Sequence, residues 1–168
     1  MKLSELRALR TALLADTDPE VVASLASRND SETARLYNQP TNPAFYVWKD
    51  IVPQDEIMQN GFDWVRVDNL SVGKARIWEW LFNNATRSIN PKKNNVRAGI
   101  AECWKGTAAD NDVRLVVFGH CQKIASKAEK IFATGTGTAV VLAGTGPGTT
   151  TWHGEVTSND IAEALNGE

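Results

Sequence analysis

The stretch NDVRLVVFGHCQKIASKAEKIFA, residues 111–133, decides how the chain is read. Its apolar residues recur at steps of three and four: Val113, Val117, Cys121, Ile124, Ala128, Ile131 and Phe132. At 3.6 residues per turn these positions share one face of a helix. Arg114, Lys123, Lys127 and Lys130 fall opposite, the last two where positive charge suits the C-terminal end of a helix dipole. Asp110 stands where an N-cap is needed. The spacing predicts one helix of about six turns over 111–133, the longest in the chain, and a mainly α fold around it.

Towards the N-terminus the same logic repeats. Asn90-Pro91 is a cap followed by a proline suited to the first helical position; it predicts a helix over 91–104 that buries Val96, Ile100, Cys103 and Trp104 and stops at Gly106. Ser71 caps a predicted helix over 72–84, with Leu70 stapling against Ala75. Its buried stripe is Ile77, Trp78, Leu81 and Phe82, and Trp80 points elsewhere. FDWVRV (62–67) alternates apolar and charged residues, which predicts a short strand or an extended linker. Pro53 opens a short helix over 53–59, stopped by Gly61. Asn38 to Pro43 is a loop of prolines and turn formers. Helices are predicted over 3–15 (Leu3, Leu6, Leu9, Leu13), over 19–27 (Asp18 cap, Pro19 at the first position) and over 31–37.

Beyond Phe132 the character changes. ATGTGTAVVLAGTGPGTTTWHGEVTSND is rich in Gly and Thr with two apolar islands. Val140–Leu142 and Thr149–Trp152 can pair as a β-hairpin across Gly144–Gly148, or the segment stays a pliable arm. A short helix from Asp160 to Leu165 follows, capped by Ser158 or Asn159. The predicted organisation is a helical body, 1–133, with a C-terminal arm, 134–168, that leaves the body folded when removed.

The bulk numbers exclude several classes. The 168 residues make one domain, or one domain with an arm. No apolar run approaches the 18 or so residues needed to cross a bilayer, and the first segment lacks the small-residue site of a cleaved signal; a chain made in the cytoplasm is expected. Cys103 and Cys121 fit no metal-ligand or redox spacing and are expected to be reduced core thiols. Net charge is −2 but unevenly spread. Residues 1–63 carry 6 basic and 10 acidic side chains, 64–134 carry 12 and 6, and 135–168 carry none and 4. A basic middle between acidic ends suits identical subunits meeting head to tail, or is a solvated mixed surface.

No motif declares a reaction. His120 and Cys121 are neighbours, but adjacent helix positions point about 100° apart and do not face each other. Two histidines, His120 and His153, without a cysteine or carboxylate cluster make no zinc site. The glycines at 135, 137, 144, 146 and 148 lack the strand-then-helix setting and the Gly-Lys-Ser/Thr of a phosphate loop. Lys92, Lys93, Arg97, Lys105 and Arg114 form a candidate basic patch, but acids are interspersed and the pI is about 5.7; only incidental DNA contact is expected. Six tryptophans and an aromatic FYVW run at 45–48 remain. Such rings pack a core or anchor an interface. Phe45, Tyr46, Trp48 and Trp80 are the candidate subunit-contact residues, and Trp152 in the arm a candidate wedge into a partner's groove.

The segments DNLSVGKARIWEWLFNNATRSINP (68–91), VRAGIAECWKGTA (96–108) and KAEKIFATGTGT (127–138), with the opening LRALRTALLADTDPEVVASLA and Tyr37-Asn38, resemble a family of tailed-bacteriophage virion morphogenesis proteins. The resemblance implies a structural, non-enzymatic part without cofactor: a head–tail connector (adaptor) at the head–tail junction of the virion. It implies a homo-oligomeric ring, typically of twelve copies, under the portal protein, with head-closure or tail proteins as further partners. In this reading the arm, about 134–157, grips the portal. Another virion part, for tail completion or head decoration, and a phage DNA-binding or packaging factor are the alternatives.

Overall fold

The structure is a computed structural model describing residues 1–59, 62–152 and 154–167. In chain order its elements are α1 (Leu3–Ala15), α2 (Pro19–Ala26), α3 (Asp30–Tyr37), β1 (Tyr46–Trp48), β2 (Val52–Pro53), α4 (Gln54–Ile57), α5 (Trp64–Asp68) and α6 (Val72–Leu81). Then follow β3 (Ser88–Ile89), α7 (Asn94–Cys103), α8 (Ala108–His120), β4 (Gln122–Ile124), α9 (Lys127–Ile131), β5 (Ala133–Thr134), β6 (Thr149–Thr150) and α10 (Ser158–Asn166). The fold is mainly α. Its strands form only two-stranded pairs: β1 with β4, β2 with β3 and β5 with β6. No helix among the described residues is long and apolar enough to cross a membrane.

The predicted long helix is two helices and a strand. α8 ends at His120, where the carbonyl of Cys121 accepts a hydrogen bond from the Lys49 N–H at 2.9 Å. Strand pairing takes the next residues, and a new capping box starts α9: the Ser126 hydroxyl accepts from Glu129 N–H and the Glu129 carboxylate from Ser126 N–H. The apolar rhythm survives at Cys121 and Ala128, both fully buried, but Ile124 turns out to solvent. The start also moves: Thr107 is the cap, and Asp110 closes the box from the third helical position.

Of residues 62–67, the last four are helical rather than extended. Asp63 accepts from Val65 N–H at 3.0 Å and caps α5, so the local cap overrides the alternation. α7 starts at Asn94 rather than 91, because Asn90 uses its side chain to accept from Lys92 N–H and turns the chain first. α10 is capped by Thr157, with Asp160 completing the box. The expected stop at Gly61 lies outside the described residues.

The described chain divides into two compact units, and the division does not follow the 133/134 boundary. One comprises residues 1–45, 124–134 and 150–168; the other comprises 46–123 and 135–149. The chain passes between them at 45/46, 123/124, 134/135 and 149/150.

The first unit is aliphatic at its centre. Leu9, Leu13, Val21, Leu36 and Tyr37 pack with Ala128, Val156, Ile161 and Ala164. α10 lies against α1 and α3. Asn38 clasps the strand-like run before α10, donating to the Val156 carbonyl (2.8 Å) and accepting from its N–H (2.9 Å). Between α2 and α3, the hydroxyls of Ser24 and Thr33 meet at 2.8 Å in a buried pair. Val156, Ile161 and Ala164 are thus part of this core rather than of an appendage to it.

The second unit is built on rings. Phe62, Trp78 and Trp104 interlock: Phe62 stacks on Trp78 at 6.1 Å between centroids, and Trp104 stands edge-on to both. Phe82 meets Trp78 edge-on at 5.0 Å, and Phe118 meets Trp48 at 6.3 Å. Such pairs add about 0.5–1.5 kcal/mol each beyond the area they bury. Against this, the buried indole N–H groups of Trp78 and Trp104 have no partner among the described residues, at a cost of about 1–3 kcal/mol each.

The Gly/Thr segment 135–149 is tied into the second unit through β1. Tyr46 N–H donates to the Gly137 carbonyl (2.7 Å), Trp48 N–H to that of Gly148 (3.0 Å), and Gly148 N–H to that of Tyr46 (2.8 Å). At Gly144 the backbone has φ +70° and lies on Phe118: a Cβ there would sit 2.7 Å from the ring's Cζ. Glycine is required at that point on both counts. Val140–Leu142 forms no strand; Thr149–Thr150 pairs with Ala133–Thr134 instead.

Candidate functional site

The five candidate interface residues occupy different environments. Trp48 is 2% exposed in the ring core of the second unit, with the Arg97 guanidinium 4.8 Å above it; burial pulls that guanidinium's pKa down. Tyr46 is half-buried in β1. Phe45 is half-buried in the first unit, with the Lys130 ammonium 5.6 Å over its ring. Trp152 is half-buried there too, against Phe132 at 5.5 Å; its ring is already engaged within the chain. Trp80 alone of the five projects outward, 68% exposed.

The outer face of α6 carries Trp80. Arg76, Glu79 and Trp80 stand at i, i+3 and i+4 and are all exposed, so they are neighbours on one face. Trp80 borders a groove of about 480 Å³ with Glu79, Gln54 and Arg87. Arg87 holds a left-handed backbone, φ +43°, unusual for a residue with a Cβ. That geometry aims its carbonyl at Gln54 N–H (2.8 Å), and Arg87 lines the same groove as Trp80. Trp64 (54% exposed), Val65 and Val72 are further exposed apolar residues of this unit. Arginine beside tryptophan is the composition of interface hot spots. The sequence singled out Trp80 but not Arg87, whose signal, the turn NNATRS, carries no charge pattern.

The first unit holds a larger cleft, about 980 Å³, between α2, the loop after α3 and α9. Asp16, Asp18 and Glu20 line one side, Lys127 and Lys130 another, and Pro19 and Pro40 give apolar wall. Tyr37 donates its hydroxyl to the Asp16 carboxylate (3.0 Å), and burial, reinforced by that charge, raises the phenol's pKa. Lys127 bonds Asp18 at 2.5 Å and holds that carboxyl below its usual range. Nothing in the sequence joined the acids to the lysines, because they come from segments more than 100 positions apart.

The other candidate chemistries are dispersed. Burial pushes the thiols of Cys103 and Cys121 up to about 12, which removes the thiolate a nucleophile needs. His120 Nδ1 lies 3.9 Å from Glu56, which is itself paired with Lys49 at 2.5 Å. His153 lies outside the described residues. Among the described residues no group of three or more His, Cys, Asp or Glu is placed to hold a metal ion. Four of the five basic candidates are engaged locally: Lys92 with Asp50 (2.6 Å), Lys105 with Glu102 (2.7 Å), Arg114 with Asn111 (2.9 Å) and Arg97 over Trp48; Lys93 is exposed.

No family model, curated protein or solved structure matches the chain.

Proposed function

We propose that the chain is a structural subunit of a tailed-phage virion, a head–tail adaptor that assembles as a ring between portal and tail. The observation that carries this reading is the outward face of α6, where Trp80 stands in solvent between Arg76, Glu79 and Arg87. A tryptophan so exposed on a folded unit suits burial against another protein. The sequence resemblance, read over segments 68–91, 96–108 and 127–138, supplies the kind of assembly. In this reading twelve copies sit under the portal, multivalency makes up for a weak single contact, and the folded loop 135–149, with Val141 exposed, faces a virion partner. A hairpin of 140–142 with 149–152 would belong to the portal-bound form, since it requires Thr149–Thr150 to leave Ala133–Thr134. The location is the virion.

The test is co-assembly. The chain is mixed with the portal protein of the phage that this reading assigns it to, separated by size and imaged by electron cryomicroscopy. A ring of chains on the portal supports the proposal. A chain that neither joins portal nor appears in purified virions by mass spectrometry sinks it.

A further inference from the structure

The α6 face and the acidic cleft have matching chemistry, and we propose that they meet between two copies of the chain, Trp80 of one copy entering the cleft of the next. The inference rests on the subunit reading above and names its contact surfaces. Three observations support the pairing. First, the units differ in charge: residues 1–45, 124–134 and 150–168 carry 7 basic and 11 acidic side chains, and 46–123 with 135–149 carry 11 and 9. Second, the local patterns are complementary on both sides. Arg76 and Arg87 flank Trp80 where Asp16 and Glu20 line the cleft, and Glu79 beside Trp80 answers exposed Lys130 on the cleft's other side. Third, an indole needs an apolar wall, and exposed Pro19 and Pro40 provide one in a cleft of about 980 Å³. The contact uses different surfaces on the two copies. It is therefore heterologous, and repeating it gives a ring if the rotation closes and a filament if it does not. Mixed charge on both surfaces disfavours a nucleic acid, whose phosphates would meet Glu79 on one surface and three carboxylates on the other.

The experiment leaves the proposed contact intact and traps it. Asn83→Cys lies two residues past α6 on the groove that Trp80 borders, and Thr17→Cys on the cleft; both residues are exposed and line the two surfaces. The native thiols, Cys103 and Cys121, are fully buried and do not compete. The two full-length variants are mixed at about 1 mM, a concentration that half-fills a contact of 1 mM Kd, and treated with a short bifunctional maleimide. The expected product is the mixed Asn83→Cys/Thr17→Cys dimer, with neither variant cross-linking to itself. Adding Trp80→Ala to the Asn83→Cys chain lowers the yield about tenfold, as for a hot-spot residue. Arg87→Glu lowers it likewise, and Glu20→Arg in the Thr17→Cys chain restores the yield lost to Arg87→Glu. Circular dichroism verifies that each variant is folded. No mixed dimer, a dominant Asn83→Cys self-dimer, or indifference to Trp80→Ala overturns the inference. Portal capture, measured separately on the unaltered chain, decides the adaptor reading, so the two can fail independently.

Discussion

The two units solve the problem of a small core in opposite ways. The second draws its centre almost wholly from one continuous run, 46–123, and fills it with interlocking rings. The first gathers three segments, 1–45, 124–134 and 150–168, packs aliphatic side chains, and fastens them with polar pairs such as the buried Ser24–Thr33 and the half-buried Asn38–Val156. A core of rings tolerates short helices, since each ring buries a large area. An aliphatic core of distant segments depends on every segment being present.

That contrast can be broken most directly at the C-terminal segment. Deleting residues 150–168 removes Val156, Ile161 and Ala164 from the first core. The expected result is loss of hydrogen-exchange protection throughout α1–α3, with the Trp78–Trp104 region still protected. Protection of α1 and α3 in the truncated chain would mean that the C-terminal segment is an appendage after all. The milder form is Ile161→Asp, a charge in a fully buried site, expected to cost more than about 3 kcal/mol in denaturant unfolding.

The converse probe is Trp104→Ala, at the hub of the second unit. A cost of about 3–5 kcal/mol is expected, with loss of the near-ultraviolet circular dichroism of the stacked rings. A cost under about 1 kcal/mol would show that the rings are not the organising element.

Acid sharpens the contrast at a smaller scale. Asp110 is held down to about 2, first by the Arg66 guanidinium and then by the Thr107 N–H. Its folded pKa lies below the unfolded value of 3.8, so its contribution is complete above pH 3.8, declines as pH falls, and is gone below about 2. Asp110→Asn should flatten the stability–pH curve of the second unit in that window and leave it parallel to wild type above pH 5. An unchanged acid limb would remove Asp110 from the account. Smallest of all, Thr33→Val keeps the shape but leaves the Ser24 hydroxyl with only its bond to the Val21 carbonyl; about 1 kcal/mol of destabilisation is expected.

The second unit's packing was legible where it is local. Trp78, Phe82, Ile100, Cys103, Trp104, Val113 and Val117 are buried as their helical spacing predicts. So were α1, whose ends coincide with 3–15, and the caps Asp18 and Ser71. The long helix misled because a strand and a turn happened to keep Cys121 and Ala128 in phase; the Ser126-x-x-Glu129 box was the available warning of a restart. Similar boxes at Thr107 and Thr157 mark the true starts of α8 and α10. Of the candidate site, Trp80 was readable as the residue off its helix's buried stripe. The cleft was not, since Asp16, Pro40 and Lys127 are joined only by tertiary folding. Nor was Trp48's burial, which depends on β1 pairing with residues some 75 positions later.

The four passages of the chain between units have a bearing on how the molecule is born. A ribosome delivers α1, α2 and α3 more than 100 residues before their partners Val156, Ile161 and Ala164. The ring-built middle can mature while those early helices wait, and closure of the first unit is timed by the synthesis of α10.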